Sequence, residues 1–385
     1  MQTVQKTAVQ ERDRGLRVMA GERVMYFDRT GRWLWVTAPT YAIRRGLDDR
    51  ALLVDTTDAH GLAGRRYRDL RPEEKSGTVR EIYEQALAAV AISPEPVRQR
   101  WLPKLSAWTP AKLAEDNAAF RQVYLPVSIL PPEQYKAVVV QVTEGCSYNR
   151  CLFCDFYRDR PFHIKTDQEL ASHLARIRQF FGPRLKDRTG IFLGDGNAII
   201  APSARLLRAL GQIRQELADV PPDIATFMDT FHAGMKPVSE LNALRQAGLA
   251  AVYIGLETGD DELRALLKKP GKAEEAIGVI RRCKEAGLKV GVILLVGAGG
   301  RRFADSHLEH TAEVLRAVPF APEDVVYLSP FVEPDLPAYR EQMRAAGIEP
   351  MPPHELAQEL ARWQKALWFV HPARVTLYSI MEHIY

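Results

Sequence analysis

The chain has 385 residues, of which 46% are hydrophobic and 26% charged. That composition suits a globular protein of up to three domains and excludes a disordered or low-complexity polymer. Its 52 basic and 48 acidic residues leave a net charge of +4, too slight a field to argue for nucleic acid or an anionic membrane as partner. The first twenty residues, MQTVQKTAVQERDRGLRVMA, scatter charge where a signal peptide would be apolar. The longest apolar run, VGVILLVGAGG at 290–300, falls well short of the about 20 residues a spanning helix needs. These features predict a cytoplasmic protein without a membrane partner, whose cysteines stay reduced.

Residues 1–130 read as an N-terminal α+β extension. RVMYFDRTGRWLWVTAP (23–39) places strand-like residues on both sides of an Asp-Arg-Thr-Gly turn and predicts a hairpin, and PEEKSGTVREIYEQALAAVA (72–91) predicts a helix. The prolines of LPPEQY (130–135) mark a boundary.

From residue 131 to 331 strands and helices alternate. KAVVVQVT (136–143) precedes TDQELASHLARIRQFFG (166–182), which opens with Thr166 and Glu169 as a capping box. The runs GIFLG, IATFM, AVYIGLETG, KVGVILLVG and DVVYLSPF follow at 190, 224, 251, 289 and 324, with helical spacing between them. Apolar strands between helices predict a parallel sheet covered on both faces, either a barrel or an open doubly wound sheet. In both, ligands bind beyond the carboxyl ends of the strands, where a cysteine loop, GDGN, DTFH, ETG and GAGG all fall. Residues 332–385 read as a mostly helical C-terminal segment with a short strand, RVTLYSI.

The loop EGCSYNRCLFCDFYRDRPF (144–162) holds Cys146, Cys151 and Cys154 in a C-x4-C-x2-C spacing, and Cys283 stands apart on a helix as a packed thiol. Three thiols suit an iron-sulfur cluster with one iron left open. With His163 as a fourth donor they suit zinc, and on spacing alone unrelated core or surface cysteines remain a third reading.

In context, the loop after the first strand of a β/α series resembles the radical SAM superfamily, whose cysteine triad binds a [4Fe-4S] cluster on a partial (β/α)6 barrel. The usual spacing is C-x3-C-x2-C, one residue shorter. VYIGLETGDDELRALLKKP (252–270) and AEEAIGVIRRCKEAGLKVGVILLVGAGG (273–300) are similar to the branch of Elongator subunit 3, the methylthiotransferases and the coproporphyrinogen-oxidase-like enzymes. The resemblance implies S-adenosylmethionine as second cofactor, cleaved reductively to a 5′-deoxyadenosyl radical that takes hydrogen from an organic substrate. It implies a small-molecule or peptide substrate and an electron donor of flavodoxin or ferredoxin type.

By the same resemblance, Cys146, Cys151 and Cys154 hold the metal. Phe153, Gly194, Asp195, Gly196, Glu257, Gly297, Arg301 and Leu328 contact S-adenosylmethionine, with a tight turn, a helix cap or core packing as the plainer reading of several. Asp229 and His232, at the rim of the third strand, are candidates for substrate contact, although a lone His is more often structural. Two functions follow: a radical enzyme, or a non-catalytic haem or cofactor carrier on the same barrel. Residues 1–130 are expected to cover the barrel or recruit a partner.

Overall fold

The computed structural model describes residues 7–57, 61–231 and 236–385. Its first sheet is an antiparallel meander of seven strands in chain order: β1 (Thr7–Arg12), β2 (Gly15–Ala20), β3 (Arg23–Asp28), β4 (Trp33–Thr37), β5 (Tyr41–Arg45), β6 (Ala51–Asp55) and β7 (Arg66–Asp69). A single helical turn, α1 (Gly61–Gly64), precedes β7. The expected hairpin is β3–β4, in register Val24 to Thr37 and Tyr26 to Trp35, but it is one step of a longer meander. The other strands escaped notice because charged residues interrupt their alternation, as in TAVQER and RYRD.

One face of the meander packs against α2 (Pro72–Ala91) and α3 (Glu95–Ser106). Leu16, Val18, Met25, Phe27 and Trp33 meet Ile82, Tyr83 and Trp101 in a core of their own. Full burial of side chains of this size stabilises by about 1.5–3 kcal/mol each. Helix α4 (Pro110–Val123), N-capped by Thr109, then leads to the second sheet.

The second sheet is wholly parallel, in the order β16-β15-β14-β13-β12-β11-β8. It is built from β8 (Val138–Gln141), β11 (Ile191–Gly194), β12 (Ile224–Met228), β13 (Leu249–Glu257), β14 (Lys289–Val296), β15 (Val325–Pro330) and β16 (Arg374–Leu377). Two-residue strands β9 (Thr143–Glu144) and β10 (His163–Ile164) close the cysteine loop. The connecting helices are α5 (Asp167–Phe181), α6 (Ser203–Glu216), α7 (Val238–Gln246), α8 (Asp261–Leu266), α9 (Ala273–Glu285) and α10 (Ala304–Arg316), and α11 (Pro337–Ala345) and α12 (Pro353–Ala366) precede β16. Helix α5 begins with the expected box: Glu169 N–H donates to Thr166 Oγ1 at 3.2 Å, and Thr166 N–H to Glu169 Oε2 at 2.6 Å.

The sheet curls into a partial barrel whose inner face is aromatic. Phe192, Phe227, Tyr253, Tyr327 and Tyr378 touch in series, with ring centroids 5.0, 6.4, 6.3 and 5.6 Å apart. The C-terminal segment adds a seventh strand, β16, and its last residue covers the opposite edge. Tyr385 Oη accepts from Val139 N at 2.9 Å, which satisfies a donor on edge strand β8. The barrel's gap is closed further by Tyr378 Oη donating to Leu130 O and His383 Nε2 donating to Val127 O, both at 3.0 Å.

The N-terminal unit meets this barrel at the amino ends of its strands. Asp116 accepts from Arg32 Nε at 2.8 Å and Arg184 Nη1 at 3.1 Å, all three groups buried. Arg29 chelates Asp187, and Lys136 lies 5.9 Å above the Trp35 ring. Lys136, Arg184 and Asp187 stand just before β8 and β11, so the described residues of 7–123 pack at the end away from the cysteine rim. The segment after α4 does reach it, through Ile129.

Candidate active site

The cysteine loop leaves β9 at Gly145, whose φ of 73° and a backbone carbonyl 2.9 Å from where a Cβ would stand both demand glycine. The four-residue spacer folds back at Asn149, which has φ 50° and directs its N–H at Cys146 Sγ, 3.4 Å away. Asn149 Nδ2 donates to Tyr157 O at 2.8 Å. The C-x2-C turn closes with Cys154 N–H donating to Cys151 O. Arg158 clamps it from outside, Nη2 donating to Cys151 O at 2.8 Å and Nε to Cys154 O at 3.3 Å. Leu152 N–H donates to Leu267 O at 2.9 Å and ties the loop to the C-terminal end of α8.

All three thiols are half-buried and line one open cavity of about 1130 Å³, solvent at its mouth included. Burial pushes Cys151 up to about 11 and Cys154 up to about 12, which favours the protonated thiols, and a bound cation favours the thiolates.

A second chain of contacts sets the loop's position. Asp195, buried, accepts from Gln141 Nε2 at 2.8 Å, from Gly145 N at 2.9 Å and from Arg160 Nη1 at 3.4 Å. Burial pushes its carboxyl upward against the pull of these donors. Gln141 is itself held, its N–H donating to His173 Nε2 at 3.1 Å. That acceptor role needs a neutral ring, and burial keeps His173 down to about 3. Gly196 completes the contact. A Cβ there would stand 3.1 Å from Tyr157 and 3.2 Å from Cys146 Cβ, so glycine lets the β11 loop press against the first cysteine.

On the far wall β13 ends at Glu257, in the left-handed region with φ 63° after a register shift at Gly255. A Cβ on Gly255 would collide with Glu257 Oε1, so this glycine makes room for the carboxylate to fold back. Glu257 pairs with Lys269 at 3.1 Å, the side chains 10% and 9% exposed. Burial works against the ammonium, but Glu257 and Cys151 hold its pKa above the ordinary value. Lys269 also sits 5.7 Å from the Phe153 ring centroid, which places a cation beside the cysteine turn. Asp229, after β12, accepts from Asn197 Nδ2 at 2.6 Å and Phe231 N at 3.2 Å.

Residues 140–315 match the family model described as Radical SAM superfamily. That stretch is a radical SAM superfamily domain. Among curated proteins it is 24% identical over 218 residues to the heme chaperone HemW of Bacillus subtilis (strain 168), across 54% of each chain, so it spans about half that relative's length. Among solved structures it is similar to coproporphyrinogen III oxidase (HemN) from Escherichia coli, with 15% identity, 60% of this chain and 52% of that one covered and a TM-score of 0.42. It is also similar to the archaeal Methanocaldococcus infernus Elp3, with 16% identity, 63% and 56% covered and a TM-score of 0.40.

The donor set fits the cluster of this superfamily. Among the described residues no group of three His, Cys, Asp or Glu side chains gathers about one ion. A cube takes its thiolates at three separate corners, and three cysteines lining one cavity suit that need. His163, the fourth donor a zinc site would want, turns away to Glu169, with Nε2 and Oε2 3.1 Å apart.

The structure brings Cys146, Cys151, Cys154, Phe153, Gly196, Glu257 and Asp229 to this cavity. Other expected contacts of this radical SAM domain lie elsewhere. Asp195 and Gly194 stand behind the wall, Asp195 occupied by the cysteine loop and Gly194 facing Val139. Gly297 lies under Leu356, where a Cβ would come 2.6 Å from Cδ1. Arg301 is exposed and bound to Glu355 at 2.7 Å, and Leu328 is fully buried in the barrel core. His232 falls outside the described residues. The helix-cap reading of Glu257 gives way because Asp260 caps α8 itself, accepting from Leu263 N at 3.0 Å. Sequence reading passed over Lys269 and Asn197. A lysine twelve positions after Glu257 looks like surface charge until the turn after α8 folds it back, and Asn197 looks like part of a turn.

Proposed function

We propose that Cys146, Cys151 and Cys154 bind a [4Fe-4S] cluster, that S-adenosylmethionine binds in the same cavity, and that the chain is an enzyme acting on a C–H bond of an organic substrate. When bound, the cluster would supply the electron that breaks a C–S bond of S-adenosylmethionine, leaving methionine and a 5′-deoxyadenosyl radical able to take a hydrogen atom from the substrate. One observation carries this reading: the three thiols share a cavity with a buried Lys269–Glu257 pair in a radical SAM domain.

The chain's own residues orient and exclude. Lys269 offers its ammonium to the methionine carboxylate, and Glu257 accepts from the ammonium or ribose hydroxyls. Phe153 and the neighbouring rings give the adenine an apolar wall. The Asn197–Asp229 pair holds the substrate side of the rim, and a flavodoxin- or ferredoxin-type donor delivers the electron.

The test is anaerobic purification with iron and sulfide analysis, followed by incubation with dithionite and S-adenosylmethionine. About four irons per chain and formation of 5′-deoxyadenosine, both lost in the Cys146→Ala, Cys151→Ala, Cys154→Ala variant, support the reading; zinc without sulfide overturns it. A second reading, a haem or cofactor carrier, is favoured by the similarity to a heme chaperone. Stoichiometric retention of added haem with no consumption of S-adenosylmethionine would put the carrier in place of the enzyme.

A further inference from the structure

The net charge of +4 is not spread evenly over the fold. Leu16, Val18, Met25 and Phe27 of the meander turn toward α2 and α3, so Arg17 and Tyr26, which alternate with them, turn to the opposite face. Part of that face docks on the C-terminal segment, where Arg44 and Tyr67 reach Glu382. Past it the face meets solvent, and Gln10 and Arg12 are exposed.

A row of cations crosses this free part. Arg12 Nη2 and Arg17 Nη1 both donate to Gln10 Oε1, at 3.1 and 3.2 Å, two guanidinium groups on one neutral acceptor. Arg17 lies 5.9 Å from the Tyr26 ring centroid, Tyr26 stacks on Trp35 at 4.5 Å, and Lys136 lies 5.9 Å from the Trp35 centroid. Lys136 O accepts from Thr189 N at 3.1 Å, which brings Lys186 and Arg188 beside the row, and Arg14 Nη1 donates to Asp187 O at 3.4 Å. Among the described residues none of these six cations has a carboxylate partner. Asp187 is chelated by Arg29, Asp13 stands in the β1–β2 turn and Asp223 ahead of β12, so the excess is positive.

We infer that this face binds the phosphate backbone of a nucleic acid. Guanidinium forks match phosphate oxygens, and Arg12 and Arg17 are already oriented by Gln10 and the Tyr26 ring, which lowers the entropy lost on binding. A membrane surface or a protein interface would want apolar side chains at its centre. The exposed large hydrophobic residues, Ile92, Leu125, Leu207, Trp368 and Met381, all lie outside this row, and an interface of charged and polar groups is what nucleic acid takes. Contacts to the backbone hold and position a strand without reading its bases. The row lies at the amino ends of the barrel strands, away from the thiols, so it anchors a polynucleotide and takes no part in the chemistry proposed above. It stands or falls independently of that chemistry.

The test is fluorescence anisotropy of a fluorescein-labelled RNA hairpin of mixed sequence with the full chain, between about 50 and 200 mM salt. The expected result is saturable binding that weakens steeply as salt rises. Two double variants, Arg12→Ala with Arg17→Ala on the meander and Lys136→Ala with Lys186→Ala on the barrel side, should each bind at least about tenfold more weakly at low salt, with the logarithmic salt slope reduced by about one for each cation removed. Arg208→Ala with Arg302→Ala, exposed cations on the barrel, should leave both quantities unchanged. Urea melts accompany every variant, so that a folding defect on one side leaves the other side as the test. Absence of RNA binding at low salt, an unchanged slope in the variants that fold, or an equal loss in the Arg208 and Arg302 control overturns the inference. So does binding of phosphatidylserine vesicles or polyglutamate as tight as that of RNA and equally sensitive to the same substitutions, which would assign the face to a membrane or an acidic protein.

Discussion

The two ends of the parallel sheet differ in how their polar groups are matched. At the amino ends, buried charges close on one another: Asp116 between Arg32 and Arg184, and Asp324 with Lys284. At the carboxyl ends, three thiols, the Lys269–Glu257 pair and the Asn197–Asp229 pair border open space. A closed ion set resists change, since removing one partner strands a charge in low dielectric. A group that borders a cavity keeps interaction capacity for a ligand. The N-terminal meander is bolted to the closed end, so its structural weight lies where chemistry does not.

Substitutions can break that contrast. The largest effect is expected at the open end: Cys151→Ala should abolish cluster binding outright, read as iron per chain after reconstitution, while the urea midpoint of the metal-free protein moves little. Asp116→Ala at the closed end should do the reverse, losing about 3–5 kcal/mol of stability because two buried guanidinium groups lose their counter-charge, with iron stoichiometry retained at temperatures where the variant stays folded. If Asp116→Ala instead lost iron in the folded state, the two ends would be coupled and the contrast wrong.

Acid sharpens it. Burial lowers His173 to about 3 and His307 and His383 to about 4. In the unfolded chain these rings take up protons near pH 6.5, while the folded chain keeps them neutral. Their contribution is therefore whole above pH 6.5 and declines as pH falls toward 4, by on the order of a few kcal/mol in all. Urea melts at pH 7, 6 and 5 should show it, and a flat profile would contradict the burial of these rings. The smallest effect is expected from Lys269→Met, which leaves Glu257 without its partner and should weaken S-adenosylmethionine binding by about 10–100-fold, or about 1.4–2.8 kcal/mol, with the iron content unchanged.

Much of the barrel was legible because its strands are apolar runs between helices, and Thr166 and the cysteine loop punctuate them in the expected places. The meander was less legible: a strand such as TAVQER has its hydrophobic partner on another strand, and alternation broken by Arg and Glu carries little signal. Within the site, Phe153, Gly196 and Glu257 line the cavity beside the thiols, the last two because each lies at or just after a strand end. Asp195 and Arg301 do not, since a carboxylate or guanidinium pairs with the nearest complementary group, and here those are Gly145 with Gln141, and Glu355.

The sequence by itself determined the periodicity, the order of strand and helix, and the placement of three thiols after the first barrel strand, all properties of neighbours along the chain. Only the tertiary structure decided which charges close on one another and which face the cavity. That Lys269 turns in beside Cys151, that Tyr385 seals the edge of β8, and that the meander docks behind the barrel depend on distances between residues up to hundreds of positions apart. No local pattern encodes such distances, because they arise only when the packed core brings those segments together.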